Sequence, residues 1–292
     1  MNWNYVDMND RKILFGINEI KYLMASGVFS STKSRGQNFL IDANIPRKIV
    51  EYSRVNSSHI AFEVGAGLGA LTNELAMAAK HVVSVELDKR LVPILQDTFS
   101  KNENVSIIEG DILKIDIKKV LQDVADSEIH VCANLPYNIT TPAIITLVES
   151  GIFKSMTLMV QKEVAERIVA APGTSDYGAF SVFSQYHSIP EILFHVSPEC
   201  FYPRPSITSS VLKMSLREKK LLSGDDEKLF FRVVKGAFSQ RRKTLVNALH
   251  ASFSATHSKE NIAEAVCKLG RGEKIRGEAL GIDEFMKLCE LL

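Results

Sequence analysis

The chain has 292 residues, 46% hydrophobic and 24% charged, with 35 basic against 34 acidic side chains for a net charge of +1. That length suits one large domain, or a large and a small one, in the composition of an ordinary globular protein. No run reaches the ~18–20 apolar residues of a membrane span, no basic start with an apolar core marks a signal peptide, and the balanced charge does not by itself announce a nucleic-acid binder.

In chain order, residues 1–30 read as an extension with one amphipathic helix near 18–27, carrying Ile20, Leu23 and Met24 on one face. The polar stretch "SSTKSRG" follows. From about residue 44, helical and extended patterns alternate. Asn44, Ile45 and Pro46 read as the cap and first turn of a helix to about Arg54. "HIAFEVG" is a strand, 69–79 a helix, "HVVSVEL" a strand, and 88–100 a helix opening on Asp88. "VSIIEG" is a strand, 116–124 is helical, "EIHVCAN" is a strand, 141–150 a helix opening on Thr-Pro, and "MTLMVQ" a strand. Strands rich in Val and Ile on both faces, separated by helices, predict a parallel sheet covered on both sides.

Helices near 162–170 and 177–187 precede "EILFHV" and "SSVLKMSL". Only a Pro-rich loop joins those two strands, which suits an antiparallel hairpin. "REKKLLSGDDE" reads as a charged linker. Beyond it, Leu229, Phe230, Val233, Val234, Ala237 and Phe238 recur at helical spacing, and further helices are expected at 241–252, 259–269 and 283–291. The expected class is therefore α/β: a mostly parallel sheet ending in an antiparallel hairpin over 31–216, then a small all-helical domain over 217–292.

"FEVGAGLGALT" (62–72) is a strand, a Gly-rich turn and a helix. Gly65 and Gly67 let the backbone turn sharply and approach a ligand without a Cβ in the way. Glu86, at the end of the next strand, can accept from both ribose hydroxyls of a nucleoside cofactor. Gly65, Gly67 and Ala70 also satisfy the permissive dinucleotide pattern, so the loop alone leaves a dehydrogenase open. Asp111 in "EGDIL" tilts the reading towards S-adenosylmethionine, as an acceptor for the adenine amine; the alternative for it is a helix N-cap. Glu63 either fixes the loop or approaches the cofactor's amino acid end.

"NLPYNIT" (134–140) ends the fourth of these strands. A turn is the simpler reading, but the chemistry suits a flat, amine-bearing ring. An adenine amine is a poor nucleophile because its lone pair is conjugated with the ring. The Asn134 side-chain oxygen and the Leu135 carbonyl, placed on its two hydrogens, would pull the nitrogen towards tetrahedral geometry. Pro136 fixes the chain direction and removes a competing N–H, and Tyr137 offers a stacking face, worth ~1–3 kcal/mol in single-stranded sites. Phe201, in the Pro-stiffened "CFYPRPSITSSV", is expected over the other face of the base, with Tyr202 as a rival and loop packing as the alternative. A methyl on a sulfonium is already an activated electrophile, so alignment and amine polarisation suffice without a His or Cys in the cluster.

Two further features complete the reading. Cys132, Cys200, Cys267 and Cys289 lack metal-ligand spacing, which predicts reduced thiols, a cytoplasmic protein and no metal centre. Arg241, Arg242 and Lys243 in "SQRRKTL", with Lys33 and Arg35 before "GQNFL", are either a solvated helix face or part of an RNA surface.

Together, "GQNFLID", "FEVGAGLGALT", "VELD", "EGDIL", "NLPYNITTP", "LMVQKEVAERI", "YGAFSVFSQY", "FYPRPSITSSV", "FSQRRKTLVNAL" and "RGEALGIDEF" resemble the ribosomal RNA adenine N6,N6-dimethyltransferases, in particular the KsgA type, in order from about residue 33 to the end. The resemblance implies a class I, Rossmann-like methyltransferase domain with a seven-stranded sheet, and dimethylation of two adjacent adenosines in the 3′-terminal hairpin of small-subunit rRNA, by a monomer acting on a 30S precursor. It implies cofactor contacts at Asn38, Leu40, Gly65, Glu86, Asp111 and Asn134, target-base contacts at Asn134, Tyr137 and Phe201, and an rRNA-facing surface including Arg241, Arg242 and Lys243. Ala66 stands where the family usually has proline, which loosens the turn but removes no ligand group. The remaining alternatives are a large-subunit rRNA dimethyltransferase of the macrolide-resistance type and a non-catalytic assembly factor.

Overall fold

The structure, a computed structural model, describes residues 16–27, 38–124 and 126–292. Lys33, Arg35 and much of the expected N-terminal extension lie outside the described residues. The chain divides into two compact units, one holding residues up to Ala165 together with Glu191–Leu216, the other Glu166–Pro190 together with Arg217–Leu292.

The first unit contains α1 (Ile17–Ala25), β1 (Phe39–Leu40), α2 (Asn44–Ser53), β2 (Ile60–Val64), α3 (Ala70–Ala78), β3 (His81–Glu86), α4 (Val92–Thr98), β4 (Val105–Glu109), α5 (Ile117–Val120), β5 (Ile129–Asn134), α6 (Thr140–Ser150) and β6 (Ser155–Gln161). After α7 (Lys162–Val169) and α8 (Ala179–His187), the chain re-enters the sheet with β7 (Ser188–Val196) and β9 (Ser209–Leu216), while the short β8 (Phe201–Tyr202) between them lies outside it. The main sheet has the order β4-β3-β2-β5-β6-β9-β7. β2 to β6 pair in parallel, and β9 runs antiparallel to β6 from Ser155↔Ser215 to Gln161↔Ser209. Every residue of β2 is buried while the edge strand β4 is half-buried, as a doubly covered sheet requires.

Two successive parallel steps lead from β2 outward to β4, and two on the other side lead from β2 through β5 to β6. The direction of winding therefore reverses between β2 and β5, and such a switch point opens a crevice at the carboxyl ends of the strands.

Several boundaries differ from the sequence reading. α4 opens at Val92 rather than Asp88: Pro93 sits comfortably in a first turn, and the Asp88 carboxylate grips Arg90 at 2.9 and 2.7 Å instead of starting a helix. The pairing of β1 with β8, Phe39↔Tyr202 and Leu40↔Phe201, was not expected, because two-residue strands carry no periodicity. α1 forms as predicted, and its buried Ile20 and Leu23 pack with Phe39, Leu68 and Leu91.

The second unit holds α9 (Gly224–Phe238), α10 (Leu245–Phe253), α11 (Lys259–Lys268) and α12 (Ile282–Leu291). Its core joins Tyr177, Val182 and Tyr186 with Phe230, Val233, Leu249, Phe253, Ile262 and Phe285. The Tyr186 and Phe230 rings lie 4.8 Å apart, and the Tyr177 hydroxyl donates to the Leu280 carbonyl at 3.0 Å. Residues 166–190, expected with the sheet, thus belong with the helices, because their aromatic face is buried there. α9 begins inside the expected linker, where Asp225, Asp226 and Glu227 in its first turn complement the positive end of a helix. Among the described residues no helix is long and apolar enough to cross a membrane, and the four cysteines are unpaired thiols.

Candidate active site

The loop after β2 turns on three glycines with left-handed backbone, Gly65 (φ +78), Gly67 (φ +60) and Gly69 (φ +82). A Cβ at Gly65 would stand 3.5 Å from Pro136, filling the gap between this loop and the segment after β5. A Cβ at Gly69 would meet Phe99 at 2.7 Å. Gly69 is therefore a third obligatory glycine that the two-glycine reading missed.

Glu86 closes β3 with both oxygens engaged by backbone: the Gly67 N–H donates to Oε2 and the Asp88 N–H to Oε1, each at 2.8 Å. A carboxylate has about four acceptor positions, so Glu86 keeps acceptor capacity beyond these two bonds. Burial raises the Glu86 pKa, against the pull of these N–H donors. Asp111 lies just beyond β4, its Oδ1 accepting from the Leu113 N–H at 3.0 Å and its Oδ2 3.6 Å from the Lys114 ammonium. It fixes a turn; the next helix starts at Ile117 with Asp116 as its cap, so the helix-cap alternative for Asp111 does not hold.

Glu63 is 1% exposed within β2. Thr72 and Ser84 both donate their hydroxyls to its Oε2 at 2.6 Å. Burial, the main cause, pushes its pKa up to about 7. This network pins α3 and β3 to β2, and Glu63 also lines the cavity described below.

After β5, the Leu135 N–H continues the ladder to the Met159 carbonyl at 3.1 Å. The Pro136 carbonyl turns inward, accepting from the Ile139 N–H at 3.2 Å and the Thr140 hydroxyl at 3.1 Å. The Asn134 amide nitrogen reaches the Asn38 carbonyl at 3.5 Å, a long contact that turns the amide oxygen the other way. The Tyr137 hydroxyl shares a 2.7 Å hydrogen bond with Ser209 on β9, which pins the ring from its far end. Nothing in the sequence marked Ser209 for this.

Asn134 and Tyr137 line one cavity of about 1210 Å³, its open mouth included, together with Asn38, Leu40, Gly65, Gly67, Glu86 and Asp111. Ile20 of α1 also lines it, although no role was expected for that segment. Leu135 and Pro136 line it as well. The donor set fits S-adenosylmethionine: carboxylates at two strand ends, a Cβ-free loop beside them, and an amide and aromatic ring at the mouth.

Phe201 does not join them. It is 2% exposed and packs with Leu40, Ile45, Met159, Val196 and Val211; pairing of β8 with β1 turns it into the core, so the loop-packing alternative holds. Tyr202 packs beside Phe39 and Leu68, with the Lys21 ammonium 5.6 Å from its ring centre. Arg241, Arg242 and Lys243 are exposed in the connection between α9 and α10, not on a helix, because Thr244 caps α10. They lie in the other unit.

A family model described as "Ribosomal RNA adenine dimethylase" matches residues 28–279. The chain is 46% identical over 268 residues to "Ribosomal RNA small subunit methyltransferase A" of Shouchella clausii, covering 90% of each chain. It is 43% identical over 267 residues to the protein of that name from Lachnoclostridium phytofermentans, covering 90% of this chain and 92% of the relative. Among solved structures, a dimethyladenosine transferase from Plasmodium falciparum superposes with a TM-score of 0.74 at 27% identity, covering 86% of this chain and 95% of that one.

Proposed function

The chain belongs to the ribosomal RNA adenine dimethylase family, and from that membership we propose that it dimethylates N6 of two adjacent adenosines in the 3′-terminal hairpin of small-subunit rRNA. The substrate is a precursor of the 30S subunit, in the cytoplasm. S-adenosylmethionine supplies an electrophilic methyl on a sulfonium. The observation that carries the reading is that Asn134, Leu135 and Tyr137 line one cavity with Glu86 and Asp111.

Glu86 holds the ribose through the lone pairs its backbone donors leave over, and Asp111 faces the adenine amine of the cofactor. Gly65 and Gly67 keep the loop low enough for the cofactor to lie against backbone. Leu40 and Ile20 give its apolar wall, and Asn38 fixes Asn134 through its carbonyl. On the substrate side, Asn134 Oδ1 and the Leu135 carbonyl accept the two amine hydrogens, localising the nitrogen lone pair towards the methyl. Tyr137, pinned by Ser209, stacks on the target base, which has left its own stack to reach the strand ends. No residue has to remove a proton before attack, since the amine acidifies only as it becomes cationic. With Phe201 buried, Tyr137 carries the stacking. Arg242 and Lys243 contact phosphates.

Transfer of labelled methyl groups to unmodified small subunits, set beside protein-free large-subunit RNA, tests the assignment. Labelling of the small subunit at two adjacent adenosines is expected; label confined to the large-subunit RNA would overturn it.

A further inference from the structure

At the amino-terminal edge of the same sheet, away from the strand ends that bear the cavity, three donor side chains from two segments meet. His59 immediately precedes β2, Glu128 precedes β5, and His130 is the second residue of β5, paired with Ala61. Their backbones are tied into the sheet. The Ile60 N–H donates to the Glu128 carbonyl and the Lys80 N–H to the His59 carbonyl, both at 2.9 Å.

Glu128 Oε2 stands 3.9 Å from Nε2 of each histidine. The three donor atoms lie within 4.8 Å of one another, and the imidazole centres are 4.6 Å apart. His130 is 9% exposed. Its Nδ1 is hydrogen-bonded to Ser155 Oγ at 2.8 Å, but its Nε2 is buried with no hydrogen-bond partner among the described residues. Native structures rarely leave such an atom unpaired. When Nδ1–H is the donor to Ser155, Nε2 presents its lone pair to the gap beside Glu128. A histidine whose far nitrogen is held by an oxygen is the usual arrangement behind a metal ligand.

We propose that His59, Glu128 and His130 bind a divalent transition-metal ion of the zinc class. Two imidazoles and one carboxylate, with a water in the fourth position, make a donor set suited to that ion. Calcium and magnesium demand more oxygen ligands than this site offers. Lys154 and Lys213 stand near His130, and their charge opposes any cation there, so the imidazole nitrogens have to supply the binding. Metal–ligand bonds of ~2.0–2.2 Å require the donors to draw together, and Glu128, with its side chain 57% exposed, can swing inward. The bound ion staples the entry to β2 against the entry to β5. Sequence spacing hides the set, because the ligands come from two segments about 70 residues apart that only the parallel pairing of β2 and β5 unites.

The test uses the whole, untagged protein, stripped with a chelator and titrated with Co²⁺ and then Zn²⁺. One Co²⁺ per chain is expected, with visible d–d absorbance, no thiolate charge-transfer band, and displacement by Zn²⁺. The thermal unfolding midpoint should rise with metal concentration as binding to the folded state requires. Glu128→Gln and His59→Ala should each weaken binding at least about tenfold, a loss typical of altered metal shells, while the metal-free midpoint and methyl transfer stay close to wild type. His130→Ala, more buried, is read only after its metal-free fold is checked by circular dichroism. A thiolate band, undiminished binding in both accessible variants, or a midpoint indifferent to both metals would overturn the proposal.

Discussion

At Asn134 the two ends of one amide are not equivalent. The nitrogen reaches the Asn38 carbonyl, and in the proposed reading the oxygen accepts from the target amine. Asn134→Ala removes that acceptor while leaving β5 intact, so the expected result is a fall of about 10²–10³ in single-turnover methyl transfer, the usual scale for removal of one preorganised polar group, with the fold unchanged. A near-normal rate would refute the amine-polarising role. Tyr137→Phe loses only the bond to Ser209 and should keep most activity, whereas Tyr137→Ala should raise KM for RNA because it removes stacking worth ~1–3 kcal/mol. Glu63 gives a prediction about pH. Its pKa is raised from 4.5 to about 7 in the folded chain, chiefly by burial. Between those values the folded state holds a proton that the unfolded state has released, so stability must fall as pH rises from 4.5 towards 7. The neutral form is fully stabilising below 4.5, and the cumulative loss above 7 is on the order of 3 kcal/mol. Urea midpoints across that range should show the decline in the wild type and a much flatter profile in Glu63→Gln.

The glycine loop shows why elements were easier to read than their details. Its three left-handed glycines look alike in φ, but their surroundings separate them. A methyl at Gly67 meets Phe39 at an ordinary 3.4 Å, while one at Gly69 runs into Phe99 at 2.7 Å. Gly69→Ala should therefore destabilise clearly more than Gly67→Ala, whose cost is the left-handed strain of about 1–2 kcal/mol; chemical denaturation of both variants gives the order, and equal losses would count against a role for the Phe99 clash. Continuous runs rich in Val and Ile placed the central strands, β2 being buried at every residue, and 3.6-fold periodicity placed most helices. Periodicity is silent where an element is two residues long. The β1–β8 pair was invisible for that reason, and with it the burial of Phe201 and the way Leu40 and Asn38 are held beside the cavity. The residues that line the cavity were legible as types: Glu86 and Asp111 at strand ends, and Asn134 to Tyr137 after β5. Their fixings were not, since Ser209, Thr72 and Ser84 act across the sheet and no local pattern marks a hydroxyl for such a task.

On the scale of the whole molecule, a composition change at residue 217 suggested where the helical part begins, but burial draws the line elsewhere. Tyr177, Val182 and Tyr186 are core residues of the helical unit, contributed by a segment that leaves the sheet after β6 and returns to it at β7. A fragment starting at 217 lacks that aromatic face and should not fold alone. The same segment bears on RNA binding. Arg241 donates to the Ser175 carbonyl at 2.6 Å, which ties the α9–α10 connection to residues 166–190, so its charge also has a structural use. Arg242 and Lys243 are exposed in the same connection. Removing one cation that neutralises a phosphate should lower the slope of log binding constant against log salt by about 0.7–0.9. Arg242→Ala with Lys243→Ala should therefore reduce the slope for small-subunit binding by roughly 1.4–1.8 if both meet phosphate, leaving the thermal midpoint of the unbound protein unchanged. Arg241→Ala should lower that midpoint while moving the slope less. Salt titrations of these variants beside their unfolding curves separate the two kinds of arginine, and a slope unmoved in the double variant would place the RNA surface elsewhere.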